Sequence, residues 1–391
     1  MSQMSRNALF QSFYRHGVID EETLKNADTL DQAGMIDLCH HIADVMLTRR
    51  STPVQPEDSP SYQRLDQAMV AAIDRLRAHP NAQPHLDELD QISFYAEEAF
   101  ARMAPTLEKR CQQGFRIPVG EVEEGDICLE LVAICCDILI LDSLSHANEV
   151  VDRYLEGCGD FGMMRLFDYA AVYYALLRAE AVADDPQALQ QFIEAIIYIY
   201  EFRIPYLLLG VGVIGSGKSR FTRSAMRELA GIRVRSNVER RRLMEQRKAQ
   251  GLPELELHSD EMTELTYQHM ARITGALLEA SYPVYIDATC LRRFQRSLLR
   301  NQAQYRGLAV AMVHFMADRE TLEERIERRS RKRDQDASQA LAILHSQLAD
   351  FEPFEADEKI HLIQLDTSED KANETLVGMI RDHLRISNNQ F

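Results

Sequence analysis

The sequence predicts an α/β protein in which a doubly wound parallel sheet fills the second half and an all-α domain precedes it. Three observations support this prediction. Residues 1–200 repeat apolar side chains at the helical spacing of about 3.6. From Pro205 onward, short apolar strands alternate with helical segments, as in a parallel sheet covered by helices. A glycine-rich loop lies between the first of these strands and the helix that follows it.

Helices are predicted almost throughout the first domain, residues 1–200. The proline-rich segment Ser51–Pro60 interrupts them and reads as an exposed linker. A second break at 114–125 contains Pro118 and Gly120 and has room for a short strand. The predicted helices are 21–41, 62–78, 86–112, 127–155, 163–181 and 186–203.

The second domain, residues 201–391, alternates strands with helices. In such sheets ligands bind at the carboxyl ends of the strands, so the residues that follow each strand are the candidates for a site. The predicted strands are 206–212, 232–236, 283–287, 308–316 and 360–365.

Charge is distributed unevenly between these halves. The first 200 residues hold 33 acidic and 15 basic side chains, whereas the rest holds 28 acidic side chains, 24 arginines and 5 lysines. An acidic first half argues against nucleic acid as a partner and leaves a protein partner or a second copy of the chain as candidates. Arginine suits bidentate phosphate contacts, which favours a phosphate ligand for the second half.

Composition also indicates the cellular compartment of the protein. Seven cysteines without a C-x-x-C pair favour a reducing cytoplasm. Met1–Leu9 lacks the apolar core of a signal peptide. Glu130 and Asp137 interrupt the most apolar stretch, so it is predicted to be a buried helix and not a membrane span.

The segment Gly212–Ser219 matches G-x-x-x-x-G-K-[ST], the loop that wraps the phosphates of a nucleoside triphosphate. Glycines let the backbone N–H groups converge on an anion, and the next helix adds the positive end of its dipole. Lys218 is predicted to reach the β and γ phosphates of ATP, and the Ser219 hydroxyl to hold Mg²⁺. The predicted nucleotide-binding residues are Gly212, Gly215, Ser216, Gly217, Lys218, Ser219 and Arg220.

Asp287 is the strongest acidic candidate, because it ends a predicted strand. A carboxylate at that position of a phosphate-loop sheet lies beside the Mg²⁺ site, so Asp287 is predicted to bind the metal with Ser219 and to act in catalysis. The alternative is that it caps the helix that begins near Leu291.

Two groups of residues are predicted to bind the phosphoryl acceptor. Arg292 and Arg296 lie four residues apart and share a helical face, although surface arginines are common. Asn237 and Arg240 follow the second strand, at a position that faces an acceptor. Asn237 can donate a hydrogen bond to a hydroxyl but cannot take its proton.

A basic cluster at 325–333 follows an amphipathic segment. An arginine-bearing lid, which neutralises charge and excludes water, has this composition. A solvated helix end is the alternative.

The second half resembles the P-loop small-molecule kinases, in the branch that includes gluconate kinase-like, zeta-toxin-like and polynucleotide kinase-like domains. The resemblance rests on loop 212–219 and on 235–240, 286–293 and 325–333. It is greatest to the ATP-binding half of bacterial proteins in which an aminoglycoside phosphotransferase-like domain precedes such a kinase domain. Those proteins end in a helix similar to His345–Pro353. The resemblance implies the roles given above for Gly217, Lys218, Ser219 and Asp287. It also implies that Arg328 or Arg331 is a catalytic arginine of the lid.

Two departures from the family matter. Relatives usually carry Asp where this chain has Asn237, and that Asp is a candidate base. The His-Gly-Asp loop of the phosphotransferase-like partner is expected near Pro118–Asp126, which holds no histidine. The first half is therefore interpreted as a degenerate remnant that packs, dimerises or recognises a partner.

Three functions follow as hypotheses. The preferred one is an ATP- and Mg²⁺-dependent phosphotransferase that acts on a hydroxyl of a small metabolite, sugar or nucleoside-like acceptor. The second is an ATP-binding switch or weak ATPase whose helical half engages a protein. The third is a kinase of nucleic-acid 5′-hydroxyl ends, which the charge does not favour.

Overall fold

The computed structural model describes residues 3–26, 29–49, 62–113, 116–119, 122–201, 203–332, 334, 336–369 and 371–385. The predicted linker at 51–60 lies outside this range. The chain divides into two compact units, Met1–Arg203 and Ile204–Phe391. None of the described helices combines the length and the apolar character needed to cross a bilayer.

The first unit is mainly helical, as predicted. Its largest contacts are between α3 and α7, α8 and α9, and α6 and α8, whose facing apolar side chains form the buried core. The helices are α1 (Gln3–Arg15), α2 (Glu21–Lys25), α3 (Gln32–Arg49), α4 (Tyr62–Arg77), α5 (Leu86–Gln112), α6 (Ile127–Leu141), α7 (Leu144–Cys158), α8 (Met164–Ala181) and α9 (Pro186–Glu201).

Three details of the predicted helices were wrong. Helix α1 was not predicted, and the helix predicted at 21–41 is divided into α2 and α3. The helix predicted at 127–155 ends at Leu141, because Ser143 begins a new one. Ser143 has extended backbone and its side chain accepts the His146 N–H, which is the geometry of an N-cap.

The predicted break at 114–125 contains an antiparallel pair, β1 (Arg116–Val119) and β2 (Val122–Asp126), so the unit is not purely helical.

In the same unit, the Asp160 carboxylate accepts two hydrogen bonds from the buried Arg110 guanidinium, at 2.5 and 2.8 Å. Charged-group pairs of this kind are structural when both partners are buried, and Asp160 therefore serves the packing of this unit.

The second unit is the predicted α/β domain. Its strands are β3 (Tyr206–Val211), β4 (Ile232–Arg235), β5 (Val284–Asp287), β6 (Ala309–Met316) and β7 (Leu362–Asp366). Its helices are α10 (Lys218–Leu229), α11 (Ser236–Ala249), α12 (Asp260–Glu279), α13 (Arg293–Gln304), α14 (Arg319–Lys332), α15 (Ser338–Ala349), α16 (Ala356–Lys359) and α17 (Ala372–Leu384).

The five described strands of the second unit form one sheet in the order β4-β5-β3-β6-β7, and every pairing in this sheet is parallel. Helices α10 and α17 cover one face of the sheet, and α12 and α13 contact strands from the other face. The central strand β3 is buried at all its positions. The order changes direction around β3, so the loop after β3 lies at the topological switch point where such sheets bind ligands.

Candidate functional site

The loop after β3 begins the site. Gly212, Gly215 and Gly217 all have positive φ, at +151°, +84° and +88°. A Cβ on Gly212 would lie 2.7 Å from the Phe315 carbonyl oxygen, and one on Gly217 would lie 3.0 Å from the Phe221 ring. Both positions therefore exclude larger side chains by space as well as by backbone conformation. Gly217 is followed directly by the first turn of α10, whose N–H groups face the loop.

Lys218 is enclosed by this loop. Its Nζ donates to the Val213 carbonyl oxygen at 2.7 Å and lies 3.4 Å from Ser216 Oγ. Burial lowers the pKa of Lys218 to about 8, and the charge of Asp287 opposes part of that shift. A buried ammonium with incomplete charge compensation gains most from an anionic ligand, so the loop is suited to hold phosphate.

Ser219 and Asp287 come together as predicted for a metal pair. The Ser219 hydroxyl donates to Asp287 Oδ1 at 3.0 Å. Strand β5 places Asp287 at its last position, and parallel pairing with β4 sets it opposite Arg235, whose Nε donates to Oδ2 at 3.2 Å. Asp287 is not the cap of a helix, since α13 begins at Arg293 and its N-cap is Arg292.

The turn after β5 is tied to the loop. Gly212 N donates to the Thr289 carbonyl oxygen at 3.0 Å, and Cys290 N donates to the Tyr267 hydroxyl at 3.0 Å. Cys290 has φ +49°, which an L-residue adopts only when its surroundings hold it there. Tyr267 is buried in α12, so this helix fixes the turn that follows Asp287.

Arg296 was predicted to bind the phosphoryl acceptor, and that prediction was wrong. Its side chain is 0% exposed and pairs with Glu358 by two hydrogen bonds, at 2.7 and 3.0 Å. Its remaining N–H groups donate to the backbone carbonyl oxygens of Cys290, Leu291, Glu352 and Pro353. No N–H group of Arg296 is therefore left for a ligand. Arg296 therefore joins the turn after β5 to the segment before α16.

The other predicted acceptor residues are dispersed. Arg292 pairs with Asp260 at 3.0 Å in an exposed ion pair. Arg240 Nη1 donates to the Leu257 carbonyl oxygen at 2.7 Å and so holds the irregular segment before α12. Asn237 is exposed in the first turn of α11, beside Ser236, whose hydroxyl lies 3.4 Å from the Asp287 carbonyl oxygen. Asn237 thus stays a candidate by position.

The predicted lid arginines lie on the exposed side of α14, and their catalytic role stays a prediction. Arg328 and Arg331 are exposed, opposite the buried side chains Leu322 and Ile326. Since an α-helix turns about 100° per residue, Arg325 and Arg329 flank the buried face instead. Arg220, predicted to bind nucleotide, is exposed at the start of α10 and lies over the Phe221 ring.

Arg325 contacts the loop directly, and Arg329 acts on Lys218 through its charge. Arg325 lies 3.4 Å from the Gly215 carbonyl oxygen and donates to Thr367 at 2.9 and 2.8 Å. Arg329 is near enough to Lys218 for its charge to contribute to lowering the Lys218 pKa. Their four-residue spacing, beside the apolar positions 322 and 326, is the sequence signal that distinguishes them from Arg328 and Arg331.

Residues 207–354 match the protein-family model described as an AAA domain. This part of the chain is therefore similar to AAA domains, which carry a P-loop. The match confirms the predicted P-loop family for this segment, and the loop, Asp287 and the α14–α15 pair all fall within it. No curated protein matches the chain.

Solved structures match about half of the chain. A gluconokinase from Sinorhizobium meliloti 1021 is 19% identical over 48% of this chain and 95% of its own, with a TM-score of 0.34. A sugar kinase from Janibacter sp. HTCC2649 is 23% identical over 48% and 98%, with a TM-score of 0.37. The APS kinase of Mycobacterium tuberculosis, in complex with AMPPNP and APS, is 18% identical over 46% and 98%, with a TM-score of 0.34.

Proposed function

We propose that the AAA domain is an ATP- and Mg²⁺-dependent phosphotransferase that acts on a hydroxyl group of a small metabolite, sugar or nucleoside-like acceptor. The observation that carries the proposal is the constellation of a buried Lys218 inside the glycine loop with Ser219 and Asp287 joined at 3.0 Å beside it. Phosphoryl transfer depends mainly on positioning and charge neutralisation, and this constellation supplies both.

The donor set fits Mg²⁺. One carboxylate and one hydroxyl, both hard oxygen donors, are what a magnesium ion takes from a protein when phosphate oxygens and water complete its shell. Among the described residues no group of three His, Cys, Asp or Glu side chains is arranged to hold a metal alone, and a nucleotide-bound magnesium does not need one. Ser219 and Asp287 would hold the ion, which would supply neutralisation of the phosphate charge.

Each side chain of the site then has a separate role. Lys218 and the loop N–H groups bind the phosphates, while Asp287 orients the metal and is itself fixed by Arg235. Arg325 and Arg329 bring positive charge to the open side of the loop. The acceptor oxygen bonds to the γ phosphorus, the bond to the bridging oxygen breaks with release of ADP, and the hydroxyl proton passes to water.

A second candidate is an ATP-binding switch or weak ATPase. Both Asp287 oxygens are engaged, by Ser219 and Arg235, and Asn237 carries no base. In this alternative the acidic first unit binds a protein partner or another copy of the chain in response to nucleotide. The described residues offer no observation in favour of kinase action on nucleic-acid ends.

The deciding experiment gives the protein γ-labelled ATP, Mg²⁺ and a small-molecule extract, and separates the products. We expect a labelled metabolite with the wild-type protein and with Lys248→Ala, an exposed lysine outside the site. Lys218→Ala is expected to remove that product and to weaken ATP binding about 10- to 100-fold, the effect of losing a hydrogen bond to a charged group.

Either other outcome counts against the kinase. Label found only in inorganic phosphate would favour the switch or ATPase. An unchanged product with Lys218→Ala would remove the site from the reaction altogether.

A further inference from the structure

Helix α15 presents an apolar face to the phosphate loop, and one polar residue lies on that face. Leu344 is buried with Val213 of the loop, Leu291 of the turn after β5, and Leu322 and Ile326 of α14; these five residues are the loop-facing cluster. Ala340, Leu341 and Phe351 pack against it as well. Gln347 stands three residues after Leu344 in α15, which places it on the same face.

Gln347 contacts the loop backbone directly. The Ile214 N–H donates to Gln347 Oε1 at 2.7 Å. The carbonyl of that same peptide group, Val213 O, accepts from Lys218 Nζ at 2.7 Å. Because N–H and C=O of a trans peptide point in opposite directions, Gln347 and Lys218 hold one peptide plane from its two sides.

We propose that Gln347 is a positioning residue of the phosphate site, which fixes the Val213–Ile214 peptide so that its carbonyl holds the Lys218 ammonium in place. The inference rests on the proposed binding of nucleotide at this loop. Gln347 acts through the peptide and not on the reacting atoms, so its loss is expected to loosen the loop and weaken phosphate binding.

The surroundings of α15 favour this role. His345 of the same helix contacts Glu323 at 3.1 Å and Arg319 at 2.9 Å, both on α14. Helix α14 in turn carries Arg325, which reaches the loop carbonyl of Gly215. The loop is therefore held by one side chain from each of two helices that are joined to each other, Gln347 at an N–H and Arg325 at a carbonyl.

The test compares Gln347→Leu, which suits the apolar face but cannot accept a hydrogen bond, with Gln347→Glu, which keeps the acceptor oxygen. Ser346→Ala, an exposed neighbour on the same helix, is the control. ADP affinity is measured by calorimetry, and thermal unfolding is followed by circular dichroism to verify the fold. We expect Gln347→Leu to weaken ADP binding about tenfold, as for one hydrogen bond in a charged network, and Gln347→Glu to remain within about threefold of wild type.

Two results would overturn the inference. One is ADP affinity unchanged by Gln347→Leu. The other is equal weakening by Leu and by Glu, since the acceptor oxygen would then be irrelevant. If the wild-type protein binds neither ADP nor ATP, the proposed function fails and this inference fails with it. Failure of the inference alone is different, because the wild-type protein then still binds nucleotide.

Discussion

At the scale of single residues, the site depends on side chains whose partners are already in place. Ser219 Oγ and Asp287 Oδ1 are in contact at 3.0 Å, and Arg235 engages the second carboxylate oxygen. A carboxylate held on both oxygens changes its orientation little when a ligand arrives. Preorganisation of this kind is what a site needs if it is to stabilise charge without reorganising.

Ser219 provides the sharpest test of the metal pair. Ser219→Ala removes the hydroxyl, and we expect the gain in ATP affinity caused by Mg²⁺ to fall about tenfold, since the ion loses one protein oxygen. Ser219→Thr keeps a hydroxyl at the same position and is expected to behave as wild type. Affinity measured with Mg²⁺ and with EDTA separates the metal effect from nucleotide binding; an equal gain in all three proteins would contradict the assignment.

At the scale of elements, α13 shows how a buried charge can hold a site together from outside it. Arg296 is enclosed, bound to Glu358 and to four backbone carbonyls, and its guanidinium lies 4.9 Å from the centre of the Phe354 ring. Two of these carbonyls belong to the turn after β5 and two to the segment that follows α15. The pair therefore keeps these two segments in register beside Asp287.

Breaking that pair is expected to be costly. Glu358→Gln leaves Arg296 buried without its counter-ion, which destabilises by about 3–5 kcal/mol. The control is Arg293→Gln, three residues before Arg296 on α13. Arg293 is half exposed and pairs with Asp357 and Glu355, so its loss is expected to cost less than about 1 kcal/mol. Hydrogen exchange of the central strands β3 and β5 reports the free energy of opening in the second unit alone. Similar losses for both variants would contradict a structural role for Arg296.

At the scale of the whole molecule, every residue that forms the candidate site lies in the second unit, which has a hydrophobic core of its own. The first unit carries most of the negative charge and, within the residues the structure describes, no part of that constellation. We propose that this unit serves recognition or assembly.

A fragment of residues 204–391 tests this division. We expect it to fold and to bind ATP with a dissociation constant within about threefold of the full chain, because a difference that small corresponds to less than one hydrogen bond. Circular dichroism checks the fold and calorimetry the affinity. A folded fragment that has lost ATP binding would show that the first unit completes the site.

The sequence by itself determined the order of strands and helices in the second unit, the phosphate loop and the residue at the end of β5. These depend on local signals: apolar runs, glycine spacing and a fixed motif. It did not separate α2 from α3 or α6 from α7, because caps and short turns interrupt a periodic pattern without changing its apolar character.

Only the tertiary structure decided which polar side chains face the loop. Arg296 was assigned to a ligand and is buried against Glu358, whereas Arg325, Arg329 and Gln347 were not assigned and lie at the loop. Spacing along a helix tells which residues share a face, but it does not tell what that face meets. The partners of Arg325 and Gln347 are 42 to 133 positions away in the chain, and only packing brings them together.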